Sequence, residues 1–234
     1  MPETGRPGVA RALDPGAVST WVFDLDNTLY PATTDVFTQI DWRMTAFIAE
    51  YLDLDPVEAR RVQKGFFHEH GTTLRGMMTV HAMAPEPFLR YVHDIDVTPV
   101  APNPDLDAAL GALPGRKVIF TNASVDHANR ITERLGVTRH FDGIFDIHQA
   151  DYLPKPDPLP YDRLVETFDL DCATCVMVED IARNLAPAAE RGMTTCWVRT
   201  DSPWASSGGR EGDPAAYIHH QTDDLATWLR DLVG

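Results

Sequence analysis

The stretch VFDLDNTLY at residues 22–30 places two aspartates, Asp24 and Asp26, at the end of an apolar run that begins with Trp21, Val22 and Phe23. Burying a carboxylate without a partner is costly, so acids persist there when paired, hydrogen-bonded or bound to metal. The stretch is either a strand running out into solvent or the start of a site. The residues on either side decide between the two.

From Ala17 to Phe23 the pattern is that of a strand, and the acids stand at its carboxyl end. Helical patterning follows. Phe37, Ile40, Met44, Phe47, Ile48 and Tyr51 recur at the spacing of an amphipathic helix, which predicts a helix over 34–52. In DPVE, Asp55 suits an N-cap, Pro56 the first helical position and Glu58 the reciprocal place of a capping box. That helix should close near Gly71; Thr72 or Thr73 can cap a third, and Pro85 opens a fourth. Residues 32–98 therefore read as an all-helical cap domain.

Beyond the Pro-rich connector TPVAPNP, a short helix near 105–112 leads into alternating strands and helices. Apolar strands lie in RKVIFTNAS, FDGIFDIH, TCVMVED and TTCWVR. Helices lie in VDHANRITERLG (closed by Gly136), PLPYDRLVETFDL and ARNLAPAAERG, and AAYIHH with DDLATWLRDLV repeats the pattern. Such alternation implies an α/β fold, a Rossmann-like parallel sheet with helices on both faces. Its core would comprise 17–31 and 99–234, interrupted after the first strand by the cap. Residues 1–16 read as a disordered leader, and 201–215, DSPWASSGGREGDPA, as a mobile loop.

The formal net charge of −15, from 35 acids against 20 bases, argues against a nucleic-acid polymer as partner. No apolar run reaches the length of a membrane span, and the N-terminus lacks a signal-peptide core. Three cysteines suit a reducing compartment, so a cytoplasmic protein is expected. Cys172 and Cys175 form a C-x-x-C without the second pair that a zinc site wants.

Ligands of open parallel sheets sit outside the carboxyl ends of the strands. There this sequence places Asp24 and Asp26, then Thr121 and Asn122, then Lys155 in a loop, then Glu179 and Asp180. Residues two apart on extended backbone project to the same side, so one aspartate can act as nucleophile and the other as acid and base. A carboxylate facing a phosphate dianion needs a cation between them, and Mg²⁺ prefers oxygen ligands. Asp24 and Asp180 could supply carboxylates and Asp26 its carbonyl. Thr121 can donate to a phosphoryl oxygen, Ser124 can cap a helix whose free amides would bind an anion, and Lys155, set among prolines, would be held out at the rim.

With these residues in place the chain resembles the haloacid dehalogenase superfamily, which is mostly phosphatases. DLDNT matches its first motif, Thr121 the second, Lys155 the third and the Glu179–Asp180 pair the fourth. The insert resembles a type 1 cap. FDLDNTLYP, GTTLRGMM, YVHDIDV, FTNAS, DYLPKPDPLPY and VEDIARNLAPA together look like the pyrimidine 5′-nucleotidase subfamily. The resemblance implies a Mg²⁺-dependent phosphomonoesterase acting on a nucleoside monophosphate. Asp24 would become an aspartyl phosphate and Asp26 would protonate the leaving alcohol and then activate water. Thr121 and Lys155 would bind the phosphoryl group, and Asp180 would complete the metal site with Glu179 as a direct or outer ligand.

Asn122 and, in the cap, Arg75 are the candidate substrate contacts; His68, His70, Thr72, Thr73 and His81 are the other polar candidates there. Dehalogenases of the superfamily typically lack the second acid, which Asp26 supplies. Lys64, the only cap lysine, reads as a solvated residue on an amphipathic helix rather than a Schiff-base lysine. Two alternatives stay open, a phosphatase or mutase for a sugar phosphate or other small metabolite, and a non-catalytic nucleotide- or partner-binding protein. Against the second, none of the motif residues is missing. The sequence leaves the oligomeric state open.

Overall fold

The computed structural model describes residues 13–200 and 216–234. Most of the expected leader, and the expected mobile loop at 201–215, lie outside the described residues. The first strand, β1 (Thr20–Phe23), is followed by four helices, α1 (Val36–Leu52), α2 (Pro56–His70), α3 (Thr73–His81) and α4 (Pro85–His93). Then come α5 (Pro104–Ala112), β2 (Arg116–Phe120), α6 (Val125–Leu135), β3 (Gly143–Phe145) and α7 (Pro158–Phe168). The chain continues through β4 (Cys175–Glu179), α8 (Ala186–Glu190), β5 (Thr194–Val198), β6 (His220–Thr222) and α9 (Leu225–Val233).

Among the described residues six strands form one sheet in the order β3-β2-β1-β4-β5-β6, and every pair is parallel. The chain fills one half of the sheet outward from β1, then starts the other half at β4. The crevice between these central strands is therefore where a ligand is expected. Both strands are buried along their length, which matches their unbroken apolar sequence. Alternate residues face opposite layers: Trp21 and Phe23 pack with α5 and α9 residues such as Leu110 and Leu229, whereas Val22 packs with Phe120, Tyr161 and Leu164. Ile40, Ile48, Met77 and Phe88 of the four-helix insert continue the first of these clusters.

The helix boundaries follow local chemistry. Asp55 accepts from the amides of Val57 and Glu58, and Thr72 accepts from that of Arg75. Glu58 does not complete a capping box: its carboxylate takes the Arg61 guanidinium, Nε at 2.9 Å, one turn on. Gly76 lets α3 close onto α2, since a Cβ there would lie 2.3 Å from Phe66 Cγ. β1 is shorter than its apolar pattern because residues 15–17 form a 3₁₀ turn capped by Asp14. ARNLAPAAERG divides into a 3₁₀ turn, Ala182–Leu185, and α8. The last strand falls later than AAYIHH, where pairing with β5 sets Cys196 opposite His220. Among the described residues no helix is long and apolar enough to cross a membrane.

Candidate active site

Asp24 remains in the sheet ladder one residue past β1, its amide donating to Val178 O at 2.9 Å. The chain then turns sharply at Asn27, whose φ of +64° is one that asparagine tolerates. The turn brings Thr28 back so that Oγ1 donates to Asp24 Oδ2 at 2.9 Å. The other carboxylate oxygen accepts from Lys155 Nζ at 2.6 Å. Lys155 is not held out at the rim; it is 2% exposed and driven inward. Its ammonium also donates to Glu179 Oε2 at 2.7 Å and Phe120 O at 2.8 Å, which uses its three donors. Asn122 Oδ1 accepts from the Lys155 amide at 2.8 Å, so this candidate substrate contact also anchors the lysine loop.

Glu179 Oε1 accepts from Ile181 N at 3.1 Å, which leaves both its oxygens engaged. Asp180 differs: its buried Oδ2 has no hydrogen-bond partner among the described residues. Asp24, Glu179 and Asp180 offer ligand oxygens that all lie within 4.8 Å of one another. Three carboxylates thus face the single ammonium of Lys155. Burial and the neighbouring Glu179 push Asp24 up to about 7 against the pull of Lys155, and burial with Glu179 and Asp24 raises Asp180 well above the carboxylate range. An all-oxygen set with surplus negative charge and an unused oxygen fits a hard divalent cation such as Mg²⁺. Asp24 and Asp180 could hold it, and Glu179 lies in the same cluster.

The carboxylate of Asp26 lies outside that cluster. Its Oδ1 accepts from Tyr30 OH at 2.6 Å and from His127 Nε2 at 2.8 Å. Burial works to raise its pKa, but His127 and Tyr30 outweigh burial and hold it below the usual aspartate value. Thr121, almost fully buried, accepts from Ala123 N at 3.0 Å, so its hydroxyl hydrogen remains to donate. Two amides in the first turn of α6 are already engaged by side chains. Ser124 takes the His127 amide, and the Val125 amide goes to the buried carboxylate of Asp146.

Asp24, Asp26, Thr121, Asn122, Lys155, Glu179 and Asp180 all line one cavity of about 180 Å³ beneath the helical insert. Thr72 and Thr73 reach it from α3, but Arg75, His68, His70 and His81 do not. Arg75 follows the Thr72 cap on a turn whose inward positions are Thr73, Leu74, Gly76 and Met77, so its side chain is not on the inward face. Lys64 is not simply solvated: it lines the cavity with Nζ 2.6 Å from Asp41 Oδ1. Phe67 also lines it, with the Arg183 guanidinium 5.0 Å over its ring.

Tyr30, His127 and Asp146 escaped the sequence reading. His127 lies four residues before Ile131 on the apolar stripe of α6, a helical periodicity that could have flagged a buried histidine. Asp146 organises a bridge to the insert. It accepts from His148 Nδ1 at 2.8 Å, while His148 Nε2 and Tyr152 OH reach Glu86 of α4 at 3.0 and 2.9 Å. Burial opposes a charge on His148, but Asp146 and Glu86 outweigh it and raise its pKa above the ordinary 6.5. Stability from a raised pKa is full below the unfolded value and is lost as pH climbs through the folded one. The wild-type melting temperature should therefore drop more between pH 6 and 8 than that of His148→Gln, a difference read by parallel thermal melts.

A parallel α/β sheet with buried acids, a lysine and a hydroxyl at its central carboxyl edge, beneath a helical insert, defines a hydrolase-type site. Residues 18–192 match the haloacid dehalogenase-like hydrolases, and the chain belongs to that family. It is 28% identical over 199 residues to phosphate metabolism protein 8 of Saccharomyces cerevisiae, a match spanning 76% of this chain and 60% of the yeast protein. The fold is similar to that of L-2-haloacid dehalogenase from Xanthobacter autotrophicus, with a TM-score of 0.59 at 17% identity, covering 93% of this chain and 99% of the other. It is also similar to a phosphatase of the family from Thermococcus onnurineus, with a TM-score of 0.58 at 15% identity and coverage of 93% and 98%.

Proposed function

We propose that this hydrolase is a Mg²⁺-dependent phosphomonoesterase that works through an aspartyl phosphate on Asp24. The observation that carries the reading is the division of labour between two aspartates two residues apart. Asp24 is set in the Lys155–Glu179–Asp180 cluster, and Asp26 is held separately by Tyr30 and His127. Asp24, Asp180 and the Asp26 carbonyl would hold Mg²⁺, whose positive charge would offset the repulsion between nucleophile and phosphate. Lys155 and the Thr121 hydroxyl stabilise charge on the phosphoryl oxygens, where positioning and electrostatics do most of the work. Asp24 attacks phosphorus while Asp26 gives a proton to the departing alcohol. Asp26 then takes a proton from the water that attacks the phosphoaspartate, releasing phosphate and restoring Asp24. Its low pKa suits that second role, and an approaching phosphate dianion favours the protonated form needed for the first.

For the substrate we favour a pyrimidine nucleoside 5′-monophosphate, with the insert acting as a type 1 cap over residues 32–98 and the core formed by 17–31 and 99–234. The subfamily-like motifs support this, as does the cavity above the carboxylates, whose wall of Ile40, Met44, Phe67 and Phe88 suits a planar base. A phosphate-release panel of UMP, CMP, purine monophosphates and sugar phosphates, with Mg²⁺ or EDTA, tests the assignment. Release concentrated on UMP and CMP and lost in EDTA is expected. Equal release from unrelated esters would keep the chemistry and remove the nucleotide assignment.

A further inference from the structure

We propose that His127 and Tyr30 are positioning residues that lock the Asp26 carboxylate so that Oδ2 is the oxygen that exchanges the proton with the leaving group and with water. The proposal rests on the reading of Asp26 as acid and base. A carboxylate oxygen has two lone-pair directions, and on Oδ1 both are taken, by Tyr30 OH at 2.6 Å and His127 Nε2 at 2.8 Å. No hydrogen bond from the described residues reaches Oδ2, and Asp26 lines the cavity. With Oδ1 tied down at two points, the carboxylate cannot rotate to exchange its oxygens without breaking both bonds.

The two donors are themselves fixed. Tyr30 is 2% exposed and His127 fully buried. The His127 ring stacks on that of His93, with centroids 4.7 Å apart and planes inclined by 17°. Ser124 Oγ holds His93 Nδ1 at 3.0 Å, and Arg130 of α6 donates to the His93 carbonyl at 2.7 Å. His93 closes α4, so the insert takes part in aiming the acid. The chain of support runs from α4 through His93 and His127 to Asp26. Neither Tyr30 nor His127 is among the residues lining the cavity, which is why they act through Asp26 and not on the substrate.

General acid catalysis matters most when the leaving group is a poor one. An aryl phosphate such as p-nitrophenyl phosphate departs with little proton help, whereas an alkyl ester such as UMP needs it. The kinetic constant kcat/KM covers the steps up to departure of the alcohol. The experiment measures it on both esters for wild type, Tyr30→Phe, His127→Leu and His127→Gln, after circular dichroism has shown each variant folded. His127→Leu should lose at least about 10-fold on UMP and less than about 3-fold on p-nitrophenyl phosphate. Tyr30→Phe should show the same split to a smaller degree, and His127→Gln, which keeps a donor, should recover part of the UMP loss. Equal losses on the two esters, or none, would overturn the positioning role. If His127→Leu does not fold, Tyr30→Phe, which removes a single oxygen, decides in its place. A wild-type protein that cleaves neither ester would instead overturn the phosphatase reading, and the proposal with it.

Discussion

Asp24→Asn should abolish phosphate release, with a loss of at least about 10³-fold in kcat, and should raise the melting temperature of the metal-free protein. The first effect follows from the amide's inability to attack phosphorus. The second follows from charge. Three buried carboxylates share the single ammonium of Lys155, and removing one negative charge relieves the repulsion that Glu179 exerts on Asp24. Asparagine keeps an oxygen for Lys155 and a polar atom for Thr28, so packing changes little. Added Mg²⁺ should reverse the order, stabilising wild type more than the variant, because a ligand stabilises the folded state by an amount that grows with the logarithm of its affinity for it. Thermal melts in EDTA and in Mg²⁺ check this. A variant less stable than wild type in EDTA would mean that Asp24 acts chiefly as a counter-ion for Lys155.

Lys155→Met is expected to have the largest effect on stability. The side chain of Lys155 is 1% exposed, and its ammonium lies between Asp24 and Glu179 at 2.6 and 2.7 Å. Removing one partner of a buried ion pair costs about 3–5 kcal/mol, because the charge left behind stays desolvated and unpaired. For a domain of this size that loss lowers the melting temperature by roughly 6–20 °C. Asp24 and Glu179 would both lose their cation, and activity should go with it. Arginine should not rescue the fold, since its planar fork cannot reproduce three acceptors gathered around one point. Urea unfolding of wild type, Lys155→Met and Lys155→Arg measures the effect. A loss under about 1 kcal/mol, the scale of an exposed pair, would contradict it.

The parallel sheet and the helical insert were legible because their signals are local: apolar runs punctuated by turns, and helical periodicity with caps at Asp55, Thr72 and Ser124. The order of polar residues at strand ends carried the rest of the site, since a parallel sheet brings those ends to one edge whatever the loop lengths. What stayed hidden depended on long-range packing. Tyr30 and His127 lie 97 residues apart, yet both end on the same oxygen of Asp26. Nothing in either neighbourhood marks the pairing. Lys155 looked exposed because its Pro-rich setting resembles a surface loop, and the bond from its amide to Asn122 is not readable from composition. On the insert, helical pitch decides which polar side chains face inward: Thr72, Thr73 and Lys64 line the cavity, whereas Arg75, set in a family-like motif at the start of its helix, does not.

The most direct test of the central claim is to trap the phosphorylated enzyme. Asp26→Asn should still pass a phosphoryl group from p-nitrophenyl phosphate to Asp24, because that leaving group needs little proton help, but should hydrolyse the adduct slowly. Acid quenching and peptide mass analysis should then show a hydroxylamine-sensitive phosphoryl adduct on the peptide that contains Asp24, with a burst of about one equivalent of p-nitrophenol. Steady release of p-nitrophenol with no adduct on that peptide would contradict nucleophilic attack by Asp24.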